Sequence, residues 1–118
     1  MMKKNLEIRE TAKENIRILY DSLMKRSEKS SHLLNITDVL KQVYVKIDNA
    51  KDPSVLISRL VKYIYVEGFS RVVLSKDEER ALMELGDLSK GASWNGMNSG
   101  DFNDKSQFYS FTEPIPQR

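Results

Sequence analysis

The side chains most often used for acid–base, nucleophilic or metal chemistry are sparse in this 118-residue chain, and they do not assemble into a reactive set. The single histidine, His32, stands beside Ser30 and Ser31 at a polar helix start with no nucleophile spaced to partner it. It reads as a solvated or capping residue. Asp77, Glu78 and Glu79 offer oxygen ligands for a cation, yet acids in a first helical turn are favoured by the helix dipole without any metal. "DFNDKS" begins like a calcium loop, with Asp101 and Asn103 at the first two ligand positions. Lys105 then falls on the third and Thr112 on the twelfth, where an acid is needed, so calcium is rejected. Tyr44, Tyr63 and Tyr65 would suit a ligand cavity, but aromatics on apolar helical stripes are usually core. There is no cysteine, which removes disulfides, thiolate metal sites and cysteine nucleophiles. No phosphate-binding glycine loop, zinc pattern or nucleophile elbow occurs. Neither an enzyme nor a cofactor or metal is expected.

Binding chemistry is better represented, and it lies in the ending "NDKSQFYSFTEPIPQR". From Gly91 onward the chain is punctuated by glycines and rich in Asn, Asp and Ser. It also holds Trp94, Phe102, Phe108, Tyr109 and Phe111, half of the chain's ten aromatics. Disordered tails carry few aromatics, so part of this segment is expected to fold back, with Trp94 as the anchor. Aromatics and a cation on an adaptable backbone suit interface anchoring, which marks Phe102, Lys105, Phe108 and Tyr109 as candidate partner-binding residues. Pro114 and Pro116 keep the far end extended, and the residues after Phe111 read as a frayed terminus.

Four amphipathic segments precede this tail. Ile8, Ala12, Ile16, Leu19 and Leu23 recur at helical steps between about Asn5 and Arg26. Leu33, Ile36, Leu40, Val43, Tyr44 and Ile47 do the same between about Ser31 and Asn49, after serines able to cap. Asp52 and Pro53 form a cap and first helical position. The third helix then runs to about Glu67 with Leu56, Leu60, Tyr63 and Ile64 on one stripe. Val61 and Tyr65 widen that stripe, which predicts the most fully buried helix. Gly68 reads as its terminator. Ser75 with Glu78 makes a capping box for a fourth helix, about Lys76 to Lys90, carrying Ala81, Leu82, Leu85 and Leu88. Short polar connections favour an all-α, antiparallel up-down-up-down four-helix bundle over residues 1–90. Residues 91–118 form a C-terminal tail partly packed on it.

The charge balance is +2, from nineteen basic and seventeen acidic residues, so a general basic face for nucleic acid is absent. A small DNA-binding regulator is the rival reading, because "EGFSRVVLSKDEE" has the spacing of a helix-turn-helix. Its would-be recognition helix starts Lys76-Asp77-Glu78-Glu79, which repels phosphate. "MMKKNLEIRE" has no apolar core behind its lysines, and no stretch approaches the roughly 20 apolar residues of a membrane span. A cytoplasmic monomer without stable membrane insertion is expected. Residues 1–90 carry seventeen basic and fourteen acidic side chains, and the tail two and three. At −1, the tail is no electrostatic membrane anchor.

"DPSVLISRLVKYIY" (Asp52–Tyr65), preceded by "DVLKQVYVKI" (Asp38–Ile47) and followed by "NDKSQF" (Asn103–Phe108), resembles the immunity proteins of pediocin-like (class IIa) bacteriocins, in the enterocin A immunity branch. The likeness runs from about Asn35 to Phe108 in the same order; "YSFTEPIPQR" beyond it departs from the pattern. The resemblance implies a four-helix bundle that protects its cell from an antimicrobial peptide. It also implies a partner: the membrane components of the mannose phosphotransferase system with bacteriocin bound, met from the cytoplasmic side. The C-terminal part would then decide which bacteriocin is resisted. On this reading, removing the residues after Gly100 leaves a folded bundle without protection. Should protection survive, the helix 3–helix 4 turn at Phe69–Val73 becomes the candidate.

Overall fold

A computed structural model of the chain describes residues 2–68, 70–91 and 105–118. Among them are four α-helices: α1, Met2–Met24; α2, Ser31–Lys46; α3, Pro53–Gly68; and α4, Lys76–Leu88. A 3₁₀ turn, Ile47–Asn49, follows α2, a second, Ser89–Gly91, extends α4, and a third, Lys105–Phe108, lies in the tail. Each helix packs against its neighbour in the chain, and α1 packs against α4 to close the bundle. The four stripes meet in one core that includes Ile16, Leu19, Leu40, Ile57, Leu60 and Leu85, all at most 1% exposed. Trp94 and Phe102, expected to pack back on this bundle, lie outside the described residues.

Local chemistry explains where each element begins. The hydroxyl of Ser30 accepts from the Leu33 N–H at 3.1 Å and caps α2. Asp52 Oδ1 accepts from the Val55 N–H at 3.3 Å, with Pro53 in the first turn of α3. At α4 the capping box is complete. Ser75 Oγ accepts from the Glu78 N–H at 3.2 Å, and Glu78 Oε1 accepts from the Ser75 N–H at 2.9 Å. As expected, α3 is deeply set, burying eight residues against six in α2.

Two expectations need correction, and a third is met with added detail. Gly68, read as the terminator of α3, is its last helical residue, and Ser70 takes the positive φ, 58°. Arg71 and Val72 both donate to the Gly68 carbonyl at 3.0 Å, which closes the turn one step later. Glycine serves close approach here, since a Cβ at 68 would stand 3.3 Å from Ile36 Cδ1. Tyr65 does not join the core: it is 58% exposed, at the rim near the end of α3. Tyr44 is also exposed, with the Lys13 ammonium 5.2 Å from its ring centroid.

Glu78 does more than charge a helix start. Its side chain is buried beneath α1, where Ser22 Oγ donates at 2.6 Å and Arg26 Nη2 at 2.5 Å. Burial alone would raise its pKa; the hydrogen bonds from Ser22, the Ser75 backbone and Arg26 outweigh it and hold the carboxyl below its usual range. One carboxylate thus caps α4 and joins it to α1. Glu78→Ala is expected to lower unfolding stability by about 2–4 kcal/mol, measured by urea denaturation, because cap and ion pair go together. Glu78→Gln, which keeps the hydrogen-bonding shape, should lose less.

Candidate functional site

The face of α2 turned away from the core carries Asn35, Asp38, Gln42 and Lys46 at steps of three, four and four, which align them as one polar stripe. Every one of them bonds the tail. Lys105 Nζ donates to Asn35 Oδ1 at 2.9 Å and Asp38 Oδ2 at 3.0 Å. Lys46 Nζ donates to the Phe108 carbonyl at 3.1 Å and pairs with Glu113. Gln42 Nε2 donates to Glu113 Oε2 at 2.8 Å. Arg118 closes the set, with Nε and Nη2 each 2.8 Å from the Asp38 carboxylate, a bidentate pair.

These contacts define the tail's path. It leaves the Asp38 end of the stripe at Lys105, climbs to Lys46 by Phe108, turns over Ser110–Glu113 and returns to Asp38 at Arg118. The turn is closed twice: the Glu113 N–H donates to the Ser110 carbonyl at 3.1 Å, and the Ser110 N–H to Glu113 Oε1 at 2.6 Å. The returning leg holds Pro114 and Pro116 and adopts no regular structure, as proline requires. Lys105 Nζ also donates to the Pro116 carbonyl at 2.8 Å, tying the two legs together.

Charge order makes the docking directional. Both tail cations meet Asp38, and Glu113 meets Lys46 in the last turn of α2, where a cation also suits the helix dipole. Burial works against the Asp38 carboxylate, but hydrogen bonds from Arg118 and Lys105 outweigh it and hold its pKa below the usual range. Lys46, then the Ser110 N–H and Gln42, bring Glu113 from the ordinary 4.5 to about 2. Burial, then the Asp38 charge, push the Tyr109 hydroxyl up.

The structure therefore sorts the candidate residues differently from the sequence. Phe108 is 3% exposed and meets Tyr63 edge-on, with ring centroids 5.5 Å apart at 79°. Its ring belongs to the bundle core and offers no face to a partner in this conformation. Lys105 is held in the Asp38 pair, with both side chains no more than 14% exposed. Tyr109 is half-buried beside them. The residues after Phe111, read as frayed, are pinned by Glu113 and Arg118. His32, read as solvated or capping, has its Nδ1 2.9 Å from Glu67 Oε2, which also accepts from Asn35 Nδ2 at 2.9 Å. Sequence reading missed the stripe itself. Its signal was present in the spacing, but the opposing charges stand about seventy residues away.

Three outcomes follow for the tail. Phe108→Ala should lower bundle stability by about 3 kcal/mol in chemical denaturation, a core-sized loss from a residue outside the four helices. Deleting everything after Gly100 removes the same ring, so the remaining bundle is destabilised rather than merely shortened. For Glu113 the folded pKa is the lower one, so its contribution is complete above pH 4.5 and fades as pH falls toward about 2. Amide exchange of residues 105–118 should accelerate in that window while the helices stay protected.

Among the described residues no group of three or more His, Asp or Glu is placed to hold a metal ion, and no helix is long and apolar enough to cross a membrane. Residues 10–90 match the bacteriocin immunity protein family. A protein from Leuconostoc gelidum named "Probable leucocin-A immunity protein" is 42% identical over 113 residues, covering 95% of this chain and 99% of the relative. Another, from Leuconostoc mesenteroides, named "Probable mesentericin-Y105 immunity protein", is 39% identical over 110 residues, covering 92% and 96%. No solved structure matches the chain. With the family pattern spanning the helices and both relatives aligned over nearly their whole length, this chain belongs to the bacteriocin immunity protein family.

Proposed function

We propose that this chain protects its cell from a pediocin-like bacteriocin by recognising, from the cytoplasmic side, the membrane receptor to which the toxin has bound, and that residues 91–118 supply the selective surface. The observation that carries the reading is the 42% identity, over 95% of the chain, with a protein named as a leucocin-A immunity protein. The resemblance noted in the sequence supplies the partner: the membrane components of the mannose phosphotransferase system. The same resemblance assigns selectivity to the C-terminal part, which lies outside residues 10–90, where the family match falls. Beyond that point lies a docked loop whose shape is set by charge pairs rather than by the bundle's apolar pattern. Phe108 and Lys105 serve by holding this loop, Tyr109 stands at its surface, and Phe102 precedes it.

The test is expression in a bacteriocin-sensitive strain, followed by challenge with a panel of class IIa peptides. Resistance to at least one peptide is expected. Replacing residues 109–118 by those of a relative, with Phe108 kept in the core, should move the resistance spectrum toward that relative's. No resistance to any peptide, together with salt-sensitive binding to a specific DNA site, would instead favour a regulator. A spectrum indifferent to the tail would move selectivity to the α3–α4 turn.

A further inference from the structure

An aromatic at the tip of a tight turn is unusual, because turn positions favour Gly, Pro, Asn, Asp and Ser. Phe111 occupies such a tip, inside the Ser110–Glu113 turn, and is fully exposed (106%). It gains nothing from burial there, yet the structure beneath it is heavily constrained. Glu113 closes the turn by two hydrogen bonds and is itself fixed to Lys46 and Gln42. Both legs of the loop converge on one carboxylate: Lys105 and Arg118, at its two ends, each bond Asp38. Close by on α2, Val45 is 63% exposed and lines a shallow groove with Tyr109 and Ser110.

From this geometry we infer that Asp38, a residue of the helical scaffold, is the positioning residue for the selective loop, and that the Phe111 ring it holds outward is the contact that enters an apolar pocket on a protein partner. The inference rests on the tail being the selective surface. A bare, pre-positioned aromatic is an efficient anchor, since large area is delivered with little conformational freedom left to lose on binding. A protein pocket is favoured over the lipid surface because both cations of the loop, Lys105 and Arg118, are already paired with Asp38, which leaves an anionic leaflet little free positive charge to meet beside the ring. Asp38 touches no partner; it acts by closing the loop. It follows that a tail transplanted onto a relative without a carboxylate at this position arrives unclosed.

Three variants test this in the full chain. Phe111→Ala should leave thermal unfolding and tail amide exchange unchanged while lowering the tolerated bacteriocin concentration roughly tenfold or more, the scale of a lost interface anchor. Asp38→Asn should leave the helices protected, accelerate exchange of residues 105–118 roughly tenfold, and lose protection to a similar degree. Arg118→Ala, which touches only the tail side of the pair, should reproduce the Asp38 effect in milder form and covers the case in which the α2 variant folds poorly. Full protection by Phe111→Ala, or a freed tail that still protects, overturns the inference. Slow tail exchange in both Asp38→Asn and Arg118→Ala overturns the positioning role. Binding to vesicles of phosphatidylglycerol that depends on Phe111 would replace the protein pocket by a lipid surface and overturn it as well. These failures differ from failure of the immunity reading, in which the unaltered chain protects against no peptide.

Discussion

Helix α2 has to satisfy two neighbours at once, and the remainder of the molecule is arranged around that demand. Its apolar stripe, with Leu33, Ile36, Leu40 and Val43, is buried against α1 and α3. Its second stripe, Asn35 to Lys46, is polar and would be an ordinary solvated face if the chain stopped after α4. Instead the tail returns across it. The energetics of the two faces differ in kind. Burial of the first scales with area and is insensitive to order, whereas the second depends on a carboxylate at one end and an ammonium at the other. That order fixes the direction in which the tail lies.

Exposed ion pairs are individually weak, about 0–1 kcal/mol, and could not hold fourteen residues in place by themselves. Two features change the balance. The Asp38 carboxylate is only 14% exposed and is shared by two cations, one of them bidentate. Phe108 inserts its ring between α2 and α3 against Tyr63, contributing burial that the ion pairs then orient. The apolar contact supplies most of the attachment and the charges supply its register. A loop held in this way can change its exposed residues without disturbing its seat.

Glu78 plays the corresponding part at the other end of the bundle. There too a carboxylate expected only to satisfy a helix start reaches across to another element, bonding Ser22 and Arg26 of α1 and the segment after it. In both places a side chain legible as local chemistry acquires a long-range partner on folding.

The helices are legible in the sequence because each carries its own instructions. Apolar residues recur at helical steps, Ser30, Asp52 and Ser75 cap the starts, and Pro53 sets the third helix. These are local interactions, satisfied within a few residues, and they appear in the chain as pattern. The family is equally legible, from "DPSVLISRLVKYIY" and its companions. The tail is not. Phe108 has the character of a surface anchor and is core; Arg118 sits where a terminus should fray and is paired; Phe111 carries no signal of its own and stands bare at the turn. Nothing within the closing sixteen residues themselves distinguishes these fates. They are decided by Asp38, Gln42, Lys46 and Tyr63, which only the closed bundle brings beneath the tail. Spacing along the chain determined which faces exist, and tertiary structure decided which charges and rings those faces would meet.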